Sequence, residues 1–211
     1  TYTENTFPTA QMNTFITQAE QRIYNSVQFP FLRKNVVGIT TASNKYLSCP
    51  DDFLAVYSMA VIDATGAYEF LLNKDVNFIR AAYPTPTSTS IPKYYALFGP
   101  TTTTGPPPVP TTELSFILGP TPDSAYSVEL HYYYYPPSIT TATTTWLGDN
   151  FDTVLLYGAL VEAYTYLKGE ADMIALYDGK YKEALGLAKR LGDGMERQDA
   201  YRSGQVRIPV T

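Results

Sequence analysis

The side chains best able to do chemistry are scarce in this 211-residue chain: His131 is its only histidine and Cys49 its only cysteine. A Ser-His-Asp or Cys-His nucleophile needs an imidazole as its base, so any such arrangement would have to run through His131. That histidine stands in a run of tyrosines, and nothing beside Cys49 supports a reactive thiol. Metal sites need His, Cys or clustered carboxylates, and the spacing gathers none. Asp51 with Asp52, and Asp149 with Asp152, are paired acids of the type used in acid/base catalysis. Both pairs stand where elements are expected to begin, and capping explains them, with Asp149 as the helix N-cap. No Walker loop and no GxGxxG turn occurs. No catalytic residue, no metal site and no cofactor is expected. The remaining candidates are Tyr132, Tyr133, Tyr134 and Tyr135, four consecutive rings able to stack on bases or sugars or to pack against another chain. Few basic residues lie nearby, which favours packing.

Composition points the same way. Hydrophobic residues make up 45% of the chain and charged residues 17%. The average soluble domain carries roughly 25% charge. A low charge count with 14% aromatics suggests a surface meant to be covered. The net charge of −5 argues against a protein that grips nucleic acid, because that task rests on Lys and Arg neutralising phosphates. It suits a surface that nucleic acid slides past. A single cysteine allows no intrachain disulfide. No apolar run approaches the roughly 20 residues of a membrane helix, and no signal-peptide pattern is visible, so synthesis in the cytosol is expected.

These side chains are positioned by a chain that reads helix, then strands, then helices. Met12, Phe15, Ile16, Ala19, Ile23 and Val27 draw one helical stripe from Thr9 onward, closed by Phe29-Pro30-Phe31. Short strands are expected at residues 36–41, 45–48, 53–62 and 68–72, the last two joined by a turn at Asp63 to Gly66. Residues 53–62 are apolar on both alternating faces and so should be covered on both sides. A short helix is expected at 74–82 and a strand at 93–98. The Thr/Pro stretch 100–112 reads as an exposed loop. Residues 114–118 and 126–135 read as a hairpin, the second with a clear period of two. After a Thr-rich link, helices return at 150–168 and 171–191, an antiparallel pair turning at Gly169. The polar end carries strand-like alternation with nothing local to pair with.

The expected class is α+β: a helical bundle from the N- and C-terminal helices, an inserted antiparallel β layer, and an extended C-terminal tail. Residues 1–35 and 146–198 would form the bundle, 36–145 the β-rich insertion and 199–211 the tail, all in one structural unit.

Five stretches, in order, resemble the tailed-bacteriophage head-to-tail adaptor family. They are Pro50-Asp51-Asp52-Phe53-Leu54, then Phe78-Ile79-Arg80-Ala81-Ala82-Tyr83-Pro84, then Pro122-Asp123-Ser124-Ala125-Tyr126. Val128-Glu129-Leu130-His131-Tyr132-Tyr133 with Pro136 is the fourth. Trp146-Leu147 with Leu155-Leu156-Tyr157-Gly158-Ala159-Leu160-Val161-Glu162-Ala163 is the last. The Thr/Pro loop is longer than that pattern requires.

The resemblance implies a structural virion protein that is not an enzyme, located at the head-tail interface of a particle made in bacterial cytoplasm. Such subunits form a homo-oligomeric ring, typically of twelve, around the channel through which DNA passes without specific binding. One face docks to the portal protein; the other meets the tail, nozzle or tail-tube protein, and no membrane is involved. In this family the C-terminal segment commonly reaches into the portal, which here implicates Tyr201, Arg202, Gln205, Val206, Arg207, Ile208 and Val210. A tail without a local strand partner can add to another protein's surface. Tyr132 to Tyr135 would lie where neighbouring subunits meet. Two other classes stay open: a monomeric β-rich module binding carbohydrate or protein, and another neck or tail-completion protein.

Overall fold

The computed structural model describes residues 7–85, 87–99, 102–103, 109–110 and 114–202. In chain order, α1 (Thr9–Ser26) leads through a 3-10 turn (Pro30–Leu32) into β1 (Arg33–Ile39), β2 (Tyr46–Ser48), β3 (Ala55–Ile62), β4 (Tyr68–Phe70) and β5 (Leu72–Asn73). Then come α2 (Val76–Ala82), β6 (Tyr94–Phe98), β7 (Thr102–Thr103), β8 (Val109–Pro110), β9 (Ser115–Gly119) and β10 (Ser127–Tyr133). Four helices finish the described chain: α3 (Ile139–Ala142), α4 (Trp146–Asn150), α5 (Asp152–Tyr166) and α6 (Ala171–Arg202). The residues divide into two compact units, a helical one from Thr1–Leu32 with Tyr135–Thr211 and a β one from Arg33–Tyr134.

The β unit pairs two four-stranded sheets, ordered β1-β10-β3-β4 and β2-β9-β6-β5. The inward residues of β10 are Val128, Leu130 and Tyr132, as its period of two requires. With Met59 and Val61 of β3 they meet Phe116 and Leu118 of β9 and Tyr95 of β6 in one buried cluster. The far side of the second sheet is closed by α2, whose Ile79 packs with Ala96 and Ile117. Every residue of β9 is therefore buried.

Two strand assignments differ from the sequence reading. Residues 114–118 and 126–135 do not pair as a hairpin; β9 and β10 lie in different sheets. Both strands are apolar enough to pair, and their partners were set by tertiary packing rather than by the short turn between them. The strand covered on both faces is β9 throughout, whereas β3 is covered only in its second half and leaves Tyr57 exposed. The hairpin of β3 and β4 forms as its turn residues require: Asp63 Oδ1 accepts from the Thr65 and Ala67 amides, and Gly66 takes φ +86°. Within the Thr/Pro stretch, β7 and β8 pair antiparallel instead of forming only a loop.

In the helical unit, α1 buries Phe15, Ala19 and Ile23 along its expected stripe. The Thr-rich link contains α3 and α4, capped by the hydroxyls of Ser138 and Thr145. Because Thr145 starts α4, Asp149 falls inside it rather than capping the longer helix, which begins at Asp152 after a break at Phe151. The last helix does not stop near Leu191 but runs to Arg202, so Asp199 to Arg202 are helical rather than extended. Gly192 reads as a stop signal in sequence, yet it is a crossing point. A Cβ there would lie 2.9 Å from Val27 Cγ1 and 3.2 Å from the Gln28 carbonyl oxygen. Phe29, Phe31, Trp146 and Phe151 form a ring cluster beside it, with Phe31 and Trp146 centroids 4.6 Å apart.

Candidate interaction surfaces

The four consecutive tyrosines do not form one surface. Tyr132 is 1% exposed and sits in the core of the β unit, so it has no area to offer a neighbouring chain. Alternation along β10 sends it inward. Its hydroxyl donates to Asp52 Oδ1 at 2.7 Å, and Lys34 Nζ donates to Asp52 Oδ2 at 2.8 Å. Burial raises the Asp52 carboxyl, but the hydrogen bonds from Lys34 and Tyr132 outweigh it and hold the group below its ordinary value. Asp52 is thus an anchor of the fold rather than a cap. Tyr134 is half-buried against the same core, with the Lys34 ammonium 5.2 Å from its ring centre. Tyr133 points the other way, edge-on to Tyr57, and the Arg33 guanidinium lies 4.6 Å over the Tyr57 ring. Tyr57 is the extra residue of the bulge opposite His131 and Tyr132. Tyr135 belongs to the helical unit, where its hydroxyl donates to Asn25 Oδ1 at 2.5 Å and its ring stacks on Tyr24.

The outer face of the first sheet brings Ser58, His131 and Glu129 together, a grouping that sequence spacing does not disclose. His131 Nδ1 is 3.1 Å from Ser58 Oγ, and its Nε2 is 3.6 Å from Glu129 Oε1. Asn35 Nδ2 donates to the same Glu129 oxygen at 2.7 Å. The residue types are those of a hydrolase triad. The geometry follows from strand pairing alone, because His131 is in register with Ser58 and with Asn35, and Glu129 lies two residues away on the same face. This polar lane is already paired within itself. Beside it stand Val37, Ile39, Tyr68 and Phe70, all exposed.

Cys49 is buried, and burial pushes its thiol up to about 12, so it is not a nucleophile near neutral pH. Among the described residues no group of His, Cys, Asp or Glu could hold a metal ion, and no helix is long and apolar enough to cross a membrane.

In the helical unit, Glu20 is 2% exposed, and its Oε1 accepts the Ile139 amide at 2.9 Å. This carboxylate secures the start of α3; nothing in its sequence context marks it. α5 is apolar on nearly all sides, yet it leaves Leu156 and Tyr166 exposed, and so is Leu167 at its C-cap. Of the C-terminal candidates, Tyr201 and Arg202 end α6, while Gln205, Val206, Arg207, Ile208 and Val210 lie outside the described residues.

No curated protein matches the chain. The SU10 adaptor protein family matches it over residues 1–209, nearly its whole length. With that match, and with the ordered motifs from Pro50 to Ala163, the chain belongs to the SU10 adaptor protein family and is a phage head-to-tail adaptor by family.

Proposed function

We propose that this chain is a ring-forming head-to-tail adaptor that docks to the portal and connects it to the tail around the DNA channel. The observation that carries the reading is the family match over residues 1–209. Its family makes it a structural phage component associated with portal and tail proteins. The finer assignments are ours. A homo-oligomeric ring of about twelve copies places apolar helix surface of the helical unit between neighbours. The net charge of −5 keeps DNA from adhering as it passes. Tyr133, Tyr134 and Tyr135 retain the role of subunit contacts; Tyr132 is spent on the core.

Portal docking falls to the C-terminal segment, with Tyr201 and Arg202 carried on the end of α6 and Gln205, Val206, Arg207, Ile208 and Val210 beyond it. Addition of this segment to the portal supplies main-chain hydrogen bonds, and Arg202 and Arg207 offer charge to an acidic partner. Deleting residues 203–211 tests this. The truncated protein should keep its circular dichroism and melting temperature and lose portal binding in a pull-down. Unaltered binding would remove the tail from the docking role.

A further inference from the structure

The first sheet ends in two open edges that fit each other. β1 and β4 are its outermost strands, and no described strand pairs with the outer side of either. Each step from β1 to β10, β3 and β4 is antiparallel, so the two edge strands run in opposite directions. The ladder also fixes which backbone groups each edge presents. The Thr40 amide donates to the Tyr126 carbonyl and the Leu71 amide donates to the Met59 carbonyl, both at 2.9 Å. Inward and outward groups alternate along an antiparallel strand. Val37 and Ile39 therefore aim their N–H and C=O away from β10, and Tyr68 and Phe70 aim theirs away from β3. Register puts these four residues in two rows. Val37, Glu129, Ala60 and Phe70 form one row; Ile39, Ser127, Ile62 and Tyr68 form another. All four edge side chains stand on the outer face, opposite the buried Val128 and Leu130, and each is more than half exposed. Proteins blunt such edges with proline, lysine or a bulge. Residues 35–39 and 68–70 contain no proline and no lysine, and the sheet's bulge lies at its centre, between β3 and β10.

We infer that β1 of one copy pairs antiparallel with β4 of the next copy, so that the first sheet continues from chain to chain. Val37 faces Phe70 of the next copy and Ile39 faces its Tyr68, each pair exchanging two main-chain hydrogen bonds. Their side chains meet on the outer face as aliphatic–aromatic cross-strand pairs, a favourable combination. Between these pairs, on the other side of the sheet, Gly38 faces Glu69 of the next copy. Nothing lies within 4 Å of where a Gly38 Cβ would stand, so no side chain at that position covers the Glu69 carboxylate. A second copy satisfies both edges with one contact: direction, rows and outward hydrogen-bonding groups all agree without a shift of register. An unrelated extended segment would fill one edge and leave the other open. Because the two edges differ, the contact is heterologous, and repeated copies form a closed ring or an open chain. The geometry of the contact comes from the sheet itself; its place in the particle rests on the ring reading above.

The test is disulfide trapping in the full chain with the portal of its own particle present. Gly38 and Glu69 form the close, non-hydrogen-bonded pair of the contact, with Cα atoms about 4.5 Å apart and so within disulfide range. Both positions lie outside the core, and the buried Cys49 gives little background. An oxidised equal mixture of Gly38→Cys and Glu69→Cys chains should yield at least about tenfold more linked dimer than either variant alone. The double variant should give a ladder of linked chains. Val37→Pro removes an N–H that the chain's own sheet does not use. Added to the Gly38→Cys chain, it should abolish linking while leaving the circular dichroism unchanged. Val37→Lys leaves the backbone intact and should weaken linking in the same chain. Either cysteine variant linking to itself as well as the mixture does would mean two-fold edge pairing and overturn the inference. So would Val37→Pro and Val37→Lys chains that link as their parent does. Wild-type rings on the portal with no link in the mixture would overturn this contact and leave the ring reading standing. Links in the mixture without any ring from the wild type would support the contact and overturn the ring reading. Neither ring nor link would overturn both.

Discussion

β9 and α5 are both apolar on nearly every side, and they meet opposite environments. β9 is covered by the first sheet on one face and by α2 on the other, so all five of its residues are buried. α5 buries Val154, Leu155, Gly158 and Val161 but leaves Leu156 57% exposed. Both units also leave apolar surface exposed, Val37, Ile39, Tyr68 and Phe70 in the β unit and Leu156, Leu187 and Leu191 in the helical one. A helix that is hydrophobic all round belongs in an interior. Among the described residues nothing covers the exposed side of α5. The two elements differ in how far their own unit covers them, β9 on both faces and α5 on one side only.

The largest expected effect sharpens this contrast. Phe116→Ala should cost about 3–5 kcal/mol in chemical denaturation, because the ring is fully buried between two sheets. Leu156→Ala should cost less than about 1 kcal/mol in the same experiment and act on assembly instead. Similar losses at both positions would erase the distinction.

Glu20 comes next. Removing its side chain with Glu20→Ala leaves the Ile139 amide without its acceptor and should destabilise by about 1–3 kcal/mol. Glu20→Gln keeps an acceptor oxygen and should recover part of the loss.

A smaller effect concerns pH. The Asp52 carboxyl is held below its ordinary value in the fold, so its contribution is present at neutral pH. That contribution is lost as pH falls below about 4, through the lowered folded value. Melting temperatures measured from pH 7 down to pH 3 should drop less steeply in Asp52→Asn, which is weakened at neutral pH from the outset. Equal slopes in the two proteins would deny the carboxylate its anchoring role.

The smallest change is expected at Tyr181. Its hydroxyl is buried with no hydrogen-bond partner among the described residues, and burial raises its pKa. Tyr181→Phe should leave stability within about 0.5 kcal/mol or improve it slightly, since it removes an unsatisfied polar atom.

The elements legible in the sequence were those carried by local pattern. The α1 stripe, the β3–β4 hairpin with its Asp63 turn and the alternation of β10 needed only periodicity and turn chemistry. What was not legible depended on distant packing. Nothing near residues 114–126 shows that β9 and β10 separate into two sheets. Gly192 looks like a helix stop because its other use, the approach of Val27, comes from a segment far earlier in the chain. For the interaction surfaces, alternation already placed Tyr132 and Tyr134 opposite Tyr133 and Tyr135. Reading all four as one patch overlooked that half of a strand's residues face the core. The exposure of Leu156 on α5 needs the three-dimensional bundle, because a helical sequence that is apolar all round does not say which side its own chain will cover.

The measurement that tests the account most directly is electron microscopy of the purified protein mixed with the portal of its particle. The expected result is a ring of copies stacked on the portal. A protein that stays monomeric and ignores the portal would contradict it.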